Sequence, residues 1–217
     1  MLFAQNTHGR YCIPNSSAYR FASQAILDGR VHEPDTIECI IKAAQKQEGL
    51  VVHAGAFFGD FLPALHTAGL VVVAFEPHPD NWLHAIGTLH LNQITDCDVH
   101  CAALGATERH AKLVTADGDL PLWGGSYIAA VGDVQCVVRS LDKVIEDRSV
   151  SVIHLDVERY EEQALQGALR TIKRCRPALI LETVPRAWME THLFPLGYRE
   201  TGTAHHNTIF TPVPLNV

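Results

Sequence analysis

LVVHAGAFFGDFLPALHTAGLVVVAFEPHPDN, residues 50–81, is the stretch that determines the fold of this chain. It contains two short apolar runs, residues 50–52 and 70–75, which have the length and composition of buried β-strands. The residues between them, 61–68, are predicted to form a short helix. A strand, a helix and a second strand in this order indicate a βαβ unit with two parallel strands.

The breaks that follow the two apolar runs carry glycines and an acid. Gly55 and Gly59 lie in the first break, and Glu76 with Pro77 follows the second run. Glycines let main-chain N–H groups approach a ligand, and an acid at the end of the second strand can accept hydrogen bonds from ribose hydroxyls. The stretch therefore has the plan of a nucleotide-binding unit.

The composition is that of one domain with a sizeable core. The chain has 217 residues, 47% of them hydrophobic, and a formal net charge of −7. This charge argues against a nucleic-acid surface, because phosphate binding needs clustered Lys and Arg. No apolar run approaches the length of a membrane span, and the first residues do not resemble a secretion signal. We therefore expect no association with a membrane. The six cysteines form no CxxC pair, so we expect reduced thiols and a cytoplasmic location.

The chain is expected to divide into an arm and a main domain. Residues 1–34 show no clear periodicity, and we predict a loosely structured arm or lid with one short helix at 18–27. Residues 35–217 are predicted to form the ligand-binding domain. Its first helix is expected to begin near Pro34 and to stop at Gly49.

Beyond residue 81, helices and strands continue to alternate, with one interruption. The interruption is the stretch 111–138, whose short β-rich runs and glycines predict an antiparallel excursion and a candidate substrate loop. About seven strands with helices on both faces predict a doubly wound α/β domain, with a mostly parallel sheet and an antiparallel terminal hairpin. The further predicted strands are 99–104, 150–155, 178–181, 198–201 and 207–211, and the further predicted helices include 160–174 and 187–194.

The sequence of the glycine turn is compatible with more than one ligand. A dinucleotide site would need G-x-G-x-x-G, but residues 53–59 read HAGAFFG and lack the middle glycine. A P-loop would need Gly-Lys-Ser/Thr, which is absent here. The observed spacing suits S-adenosylmethionine, which has no phosphates, but spacing alone does not decide between this ligand and the others.

A second patch of the sequence resembles a known family. It reads VIHLDVERYE at 152–161, then ALQGA at 164–168 and PALILE at 177–182. This pattern resembles the FkbM family of S-adenosylmethionine-dependent methyltransferases, in which apolar–Lys–x–Asp–Val–Glu–Gly–x–Glu precedes Leu–x–Gly–Ala and a strand that ends in Glu. Further landmarks similar to those of the family are residues 53–59 and 75–77, Asn81, Asn92, and residues 102–105 and 140–142.

The resemblance implies a class I methyltransferase fold, which is Rossmann-like, and a cofactor site. Gly55 and Gly59 would approach the methionine part of the cofactor, Glu76 would hold the ribose diol, and Ala103 would lie near adenine. The full set of implied cofactor-binding residues is His53, Gly55, Ala56, Phe57, Gly59, Asp60, Glu76, Pro77, Ala102, Ala103 and Asp156.

The resemblance also implies where catalysis takes place. Asp156, at the end of the fourth strand, would face the sulfonium. Methyl transfer is an in-line displacement, so catalysis is largely alignment, with a base needed only to take a proton from an alcohol. The candidates for this base are Asp156, Glu158, His154 and Glu182.

Three positions depart from the family pattern. The motif that commonly begins with Asp or Glu begins here with His53, the family's Lys is His154, and the Gly after Glu158 is Arg159. An acid at position 53 often orients the methionyl ammonium of the cofactor. Asp60, one turn further on, is expected to take over that role.

Structural explanations compete with several of these assignments. Gly55 and Gly59 can serve a tight turn alone, and Glu158 can favour a helix N-terminus through its charge. His154 lies in an apolar run and can be a core histidine rather than a base.

The sequence does not favour a metal site. His205 and His206 are adjacent, so on a strand they point to opposite faces and do not easily bind one ion. Asp156 with Glu182 leaves Mg²⁺ possible but not favoured.

The sequence therefore predicts an S-adenosylmethionine-dependent methyltransferase that methylates a hydroxyl of a small molecule, such as a sugar or a secondary metabolite. One rival is a non-catalytic S-adenosylmethionine-binding module, suggested by His53 and Arg159. A weaker rival is a nicotinamide-dependent oxidoreductase. The expected partner is a small-molecule acceptor rather than nucleic acid or a membrane, and a homo-oligomer is left open.

Overall fold

The computed structural model describes residues 1–213, in which strands and helices alternate along most of the chain. The strands are β1 (Leu2–Gln5), β2 (Arg10–Ile13), β3 (Leu50–Ala54), β4 (Val72–Phe75), β5 (Cys97–His100), β6 (Ala103–Leu104), β7 (Arg109–Val114), β8 (Ala116–Asp117), β9 (Leu120–Pro121), β10 (Tyr127–Ala129), β11 (Val134–Arg139), β12 (Val150–Leu155), β13 (Ala178–Leu181), β14 (Tyr198–Ala204) and β15 (Asn207–Pro212). The helices are α1 (Phe21–Leu27), α2 (Pro34–Ala44), α3 (Leu62–Thr67), α4 (Pro79–Leu91), α5 (Leu141–Ile145), α6 (Glu161–Gln166), α7 (Leu169–Cys175) and α8 (Arg186–His192).

A sheet of seven strands forms the centre of the molecule, in the order β14-β15-β13-β12-β3-β4-β5. The five strands from β13 to β5 run parallel to their neighbours. The terminal strand β15 runs antiparallel to both β13 and β14. The mostly parallel seven-stranded sheet and the antiparallel terminal hairpin predicted from the sequence are therefore confirmed.

The central strands are apolar because both of their faces are covered. Every residue of β3, β4, β12 and β13 is buried, as expected for parallel strands with helices on both sides. One core joins this sheet to α6, α7 and α8, and the other joins it to α2, α3 and α4. Within the described residues, no helix combines the length and the apolar character needed to cross a bilayer.

The N-terminal arm is more ordered than its sequence suggests. Strands β1 and β2 pair as an antiparallel hairpin, and the main-chain N–H of Cys12 donates to Oγ1 of Thr88 on α4 at 3.0 Å. A Cβ at Gly87 would lie 2.9 Å from Sγ of Cys12, so this glycine of α4 permits the close approach. The prediction of a loosely structured arm is therefore wrong for residues 2–13.

The strand predicted at 99–104 is two strands in different sheets. β5 ends at His100, and β6 pairs with β11 in a second sheet, in the order β10-β7-β11-β6. This second sheet is formed largely by the antiparallel excursion at 111–138. The sequence does not reveal the transfer, because Val99 of β5 and both residues of β6 are buried although they belong to different sheets.

The helix predicted at 160–174 is interrupted. It consists of α6 and α7, with Gly167 and Ala168 between them. A Cβ at Gly167 would lie 2.0 Å from the main-chain O of Gly105, and the Gly167 carbonyl accepts hydrogen bonds from the Asp142 N–H and the Ser140 hydroxyl. Because the Gly167 carbonyl is bonded to these other segments, it does not accept the hydrogen bond that would continue the helix, and the helix is interrupted here.

Candidate active site

The glycine turn after β3 brings the ends of two neighbouring strands together. Gly55 has a φ of +91° and Gly59 a φ of +80°, in the left-handed region that glycine adopts without strain. A Cβ at Gly55 would lie 1.9 Å from the main-chain O of Asp156, just after β12. Only glycine permits this contact, which places the turn directly against Asp156.

Glu76 connects the glycine turn to the end of β4. Its Oε2 accepts a hydrogen bond from the main-chain N–H of Phe57 at 2.8 Å, and its Oε1 accepts one from the N–H of His78 at 2.8 Å. The side chain is only 4% exposed, and burial raises the pKa of Glu76 to about 7. The orientation of the predicted ribose-binding acid is thus set by the turn itself.

Two buried polar atoms of Asn81 and Trp123, near the end of β4, have no hydrogen-bond partner among the described residues. Asn81 donates from Nδ2 to Glu76 Oε1 at 3.4 Å, whereas its own Oδ1 is unpaired. Trp123 stacks on His78 with ring centroids 5.6 Å apart, and its buried Nε1 is also unpaired. A buried polar atom without a partner costs about 1–3 kcal/mol. These atoms therefore provide hydrogen-bonding capacity for a polar ligand next to Glu76.

Asp156 and Glu182 form a pair of carboxyl groups at the ends of β12 and β13. Burial together with the negative charge of Glu182 raises the pKa of Asp156 well above its usual range. Burial and the same charge also raise the pKa of Glu158. Two adjacent carboxylates do not both ionise readily, so Asp156 holds its proton more tightly than an isolated aspartic acid does.

The carboxyl groups border a cavity of about 1000 Å³. Its wall includes many of the residues predicted from the sequence, namely His53, Gly55, Phe57, Asp60, Asp156, Glu158 and Glu182. The arm contributes Arg20 and His32 to the wall, and Gly124 comes from the excursion. The volume is that of a typical small-molecule site.

Other predicted site residues do not border this cavity. Glu76, Pro77, Ala102 and Ala103 are not part of its wall, and Ala103 belongs to the second sheet. Ala56 and Gly59 are likewise outside it, and the Ala56 N–H is bonded to the carbonyl at the end of β4. The predicted adenosine side and the predicted methyl-transfer side are therefore separate in the structure, with the glycine turn between them.

His53 and His154 are neighbours in the sheet. They are register partners on β3 and β12, and their Nδ1 atoms lie 2.8 Å apart. Burial lowers the pKa of His53 well below its usual value and that of His154 to about 4. Both rings are therefore neutral at physiological pH. His154 uses both of its nitrogens, on His53 and on Asn207, and it does not border the cavity.

Several residues of the site were not found by sequence reasoning. His32 Nδ1 lies 3.0 Å from Oδ2 of Asp60, and Arg20 lies close to Glu158 beside Gly125. Neither residue of the arm follows a periodic pattern that would single it out. The one available signal was for Trp123, which precedes the glycine pair in the stretch predicted to be a substrate loop.

Over residues 1–213 there is no group of three or more His, Cys, Asp or Glu side chains arranged to hold a metal ion. His205 and His206 lie with their ring centroids 4.1 Å apart at the turn between β14 and β15. The His205 ring lies 3.8 Å from a carboxylate oxygen of Glu33.

The fold defined by this sheet is that of a class I methyltransferase. A methyltransferase from Geobacter sulfurreducens has a similar structure, with a TM-score of 0.53 and 16% identity, over 90% of this chain and 86% of its own. A tRNA (uracil-54, C5)-methyltransferase from Pyrococcus abyssi, solved in complex with S-adenosyl-L-homocysteine, has a TM-score of 0.53 and 10% identity, over 96% of this chain and 43% of its own.

A family model gives a more specific assignment than the fold does. The model of the methyltransferase FkbM domain matches residues 53–207. A methyltransferase FkbM from Methylobacillus flagellatus KT has a similar structure, with a TM-score of 0.54 and 20% identity over 92% of this chain. The chain therefore belongs to the FkbM methyltransferase family, which confirms the resemblance found in the sequence. It spans 48% of the length of the Methylobacillus chain, and the sequence matches no curated protein.

Proposed function

We propose that this protein uses S-adenosylmethionine to methylate a hydroxyl group of a small molecule in the cytoplasm. The observation that carries the proposal is the contact between Gly55 and Asp156, where a Cβ would lie 1.9 Å from the Asp156 carbonyl. This contact joins the turn that suits the cofactor to a carboxyl group that suits a base. Both border the same cavity.

The residues around the turn fit the cofactor. Glu76 would accept hydrogen bonds from the ribose hydroxyls. Asn81, which is bonded to Glu76, and Trp123, which stacks on His78, each have a buried polar atom without a partner among the described residues. Asp60 and His53 border the cavity on the other side of the turn, where the methionine part would lie. When bound, S-adenosylmethionine supplies a methyl group on a positively charged sulfur. The structural neighbour from Pyrococcus abyssi, crystallised with S-adenosyl-L-homocysteine, supports this choice of cofactor.

The carboxyl pair fits an alcohol acceptor. Hydroxyl groups are poor nucleophiles until a base removes their proton, and a carboxyl group with a raised pKa is a better base near neutral pH than an ordinary one. Asp156 has such a raised pKa, because it is buried and lies next to Glu182. The ionised member of the pair would accept the hydroxyl proton as the oxygen takes the methyl group.

The size and charge of the cavity favour a small acceptor. Its volume of about 1000 Å³ has room for the methionine part of the cofactor and a molecule of sugar size. The chain carries a net charge of −7, and acids dominate the cavity wall next to the strand ends, which disfavours a nucleic-acid acceptor.

The arm and the excursion meet above the site, which supports their proposed role as a lid. The Tyr19 hydroxyl of the arm donates to the Pro121 carbonyl of the excursion. Trp123 packs with Tyr11, Phe57 and Phe58 in one buried cluster. Residues from three segments thus enclose the glycine turn.

The experiment that tests the proposal has two parts. Calorimetry should show S-adenosylhomocysteine binding to the purified protein, and NADH should not compete with it. Incubation with methyl-labelled S-adenosylmethionine and a panel of hydroxylated acceptors should then yield an O-methylated product. Binding without transfer to any acceptor would favour the non-catalytic module, and tight binding of NADH instead would favour the oxidoreductase.

A further inference from the structure

A buried hydrogen-bonded chain runs from α2 across the sheet to the cavity. Thr36 Oγ1 donates to Oε2 of Glu33 at 2.9 Å, and Asn207 Nδ2 donates to Thr36 Oγ1 at 3.3 Å. Asn207 Oδ1 lies 3.3 Å from Nε2 of His154, and His154 Nδ1 lies 2.8 Å from Nδ1 of His53. The residues come from α2 and its N-terminal cap, β15, β12 and β3, so tertiary structure alone assembles the chain.

The chain determines where the protons lie. The Glu33 carboxylate only accepts hydrogen bonds, so Asn207 must direct its NH₂ group towards Glu33 and Thr36 and its oxygen towards His154. His154 must then donate from Nε2, and its Nδ1 is left as an acceptor. His53 must in turn donate from Nδ1. The Nε2 of His53 therefore carries a lone pair rather than a hydrogen.

This lone pair is buried and unsatisfied. His53 is only 2% exposed, and its Nε2 has no hydrogen-bond partner among the described residues. The ring lies parallel to that of Phe61, with centroids 5.1 Å apart, and both residues border the cavity next to Asp60. Neutral His53 thus offers a hydrogen-bond acceptor in a fixed position. A buried acceptor without a partner costs about 1–3 kcal/mol of stability, which a ligand that donates to it would recover.

We infer that Nε2 of His53 accepts a hydrogen bond from the methionyl ammonium of the cofactor, with its lone pair held in place by the chain through His154, Asn207 and Thr36. The inference rests on the proposed use of S-adenosylmethionine. It explains how a histidine replaces an acid at this position, since a neutral imidazole accepts from an ammonium group as a carboxylate does. Asp60, which lies 3.0 Å from His32, is then a nearby acid and does not itself contact the methionyl ammonium.

Calorimetry with two ligands tests the contact. S-adenosylhomocysteine carries the ammonium group, and its analogue with hydrogen in place of the amino group does not. Wild-type protein should prefer the first ligand by about 10- to 150-fold, the range of a hydrogen bond to a charged group. His53→Phe keeps the stacking on Phe61 but removes the acceptor, and it should reduce that preference to about one. His53→Asp restores an acceptor and should restore the preference.

The control is His90→Phe, because His90 is exposed on α4 and should leave the preference unchanged. If His53→Phe weakens both ligands equally, His53 only shapes the pocket and the inference is wrong. If wild-type protein binds neither ligand, the proposed function is wrong and the inference falls with it. Binding of both ligands by the wild type with no preference contradicts the inference alone.

A second measurement does not depend on the variants folding. Long-range proton–nitrogen NMR spectra of the ¹⁵N-histidine-labelled wild-type protein distinguish the two neutral tautomers. His53 should carry its proton on Nδ1 and His154 on Nε2, and S-adenosylhomocysteine should shift the Nε2 signal of His53. A proton on Nε2 of His53 in the free protein would overturn the inference.

Discussion

The main-chain N–H of Phe57 donates a 2.8 Å hydrogen bond to Oε2 of Glu76. The first residue belongs to the glycine turn after β3 and the second to the end of β4, so the contact joins the two strand ends across which a class I methyltransferase binds its ligand. The acid thus positions the turn, in addition to any role in holding ribose. A substitution of Glu76 should affect both.

Replacement of Glu76 by Ala should weaken S-adenosylhomocysteine binding by about 2–3 kcal/mol, or about 30- to 150-fold, because two charge-assisted hydrogen bonds to ribose are lost. The melting temperature should also fall, since the N–H groups of Phe57 and His78 lose their acceptor. Calorimetric titration and thermal unfolding measure the two effects. Asp80→Ala, at an exposed acid four residues away, is the control. Unchanged affinity in Glu76→Ala would mean that the ribose is held elsewhere.

Replacement of Asp156 by Asn should lower turnover at least about a hundredfold, as expected for loss of a positioned acid–base group. Stability should not fall, because Asn keeps the shape of the side chain and cannot ionise next to Glu182, which already disfavours the charged form of Asp156. Initial rates with labelled S-adenosylmethionine and denaturant unfolding measure the two quantities. Asp147→Asn, at an exposed acid after α5, is the control. Near-normal turnover would remove Asp156 from the catalytic residues.

Gly55→Ala and Gly69→Ala form a matched pair. Both glycines have positive φ, +91° and +75°, but a Cβ at Gly55 would overlap the Asp156 carbonyl whereas a Cβ at Gly69 has nothing within 4 Å. The Gly69 variant should lose only the backbone term of about 1–2 kcal/mol. The Gly55 variant should lose considerably more, together with cofactor binding, because β3 and β12 must move apart. Equal losses of unfolding free energy in the two variants would show that the close approach is not required.

Glu161 should make the protein less stable as the pH rises. It is 1% exposed, and burial raises its pKa to about 7. The folded state therefore binds the proton more tightly than the unfolded state does, so this contribution is complete below pH 4.5 and is lost as the pH rises through about 7. The loss is at most about 3 kcal/mol.

Urea unfolding at pH 5 and pH 8 measures this effect. Glu161→Gln should show a smaller difference between the two pH values than the wild type, because Gln does not titrate. Glu76 and Asp156 titrate in the same direction in both proteins, so the comparison isolates Glu161. The same pH dependence in the variant and the wild type would contradict the prediction.

Ligand should protect the arm and the excursion from proteolysis. Trp123 belongs to the same buried cluster as Phe57 of the glycine turn and Tyr11 of the arm, so binding next to Glu76 should hold both segments in place. S-adenosylhomocysteine should slow trypsin cleavage at Arg20 and Lys112 in the wild type. Trp123→Ala should be cleaved faster and gain less protection, whereas Leu120→Ala, at an exposed position, should behave as the wild type. Cleavage rates that do not respond to ligand would rule out the lid.

The sequence alone determined the parallel core of this protein and its family. Apolar runs such as residues 50–52 and 178–181 predict strands covered on both faces, because a buried strand has no polar side to show. Gly55 and Glu76 are recognisable because a tight turn and an acid after a strand are local features. The motif around Asp156 identified the family for the same reason, since its residues are neighbours in the chain.

Tertiary structure decided what depends on contacts between distant segments. The transfer at residue 101 from one sheet to another, and the break at Gly167, depend on pairing with β11 and on the approach of Gly105. His53 and His154 are 101 residues apart in the chain, yet the register of β3 with β12 places their rings side by side. Local patterns record how each strand is buried, but not which strand it will lie against. The protonation of His53 therefore emerges only when the sheet has formed.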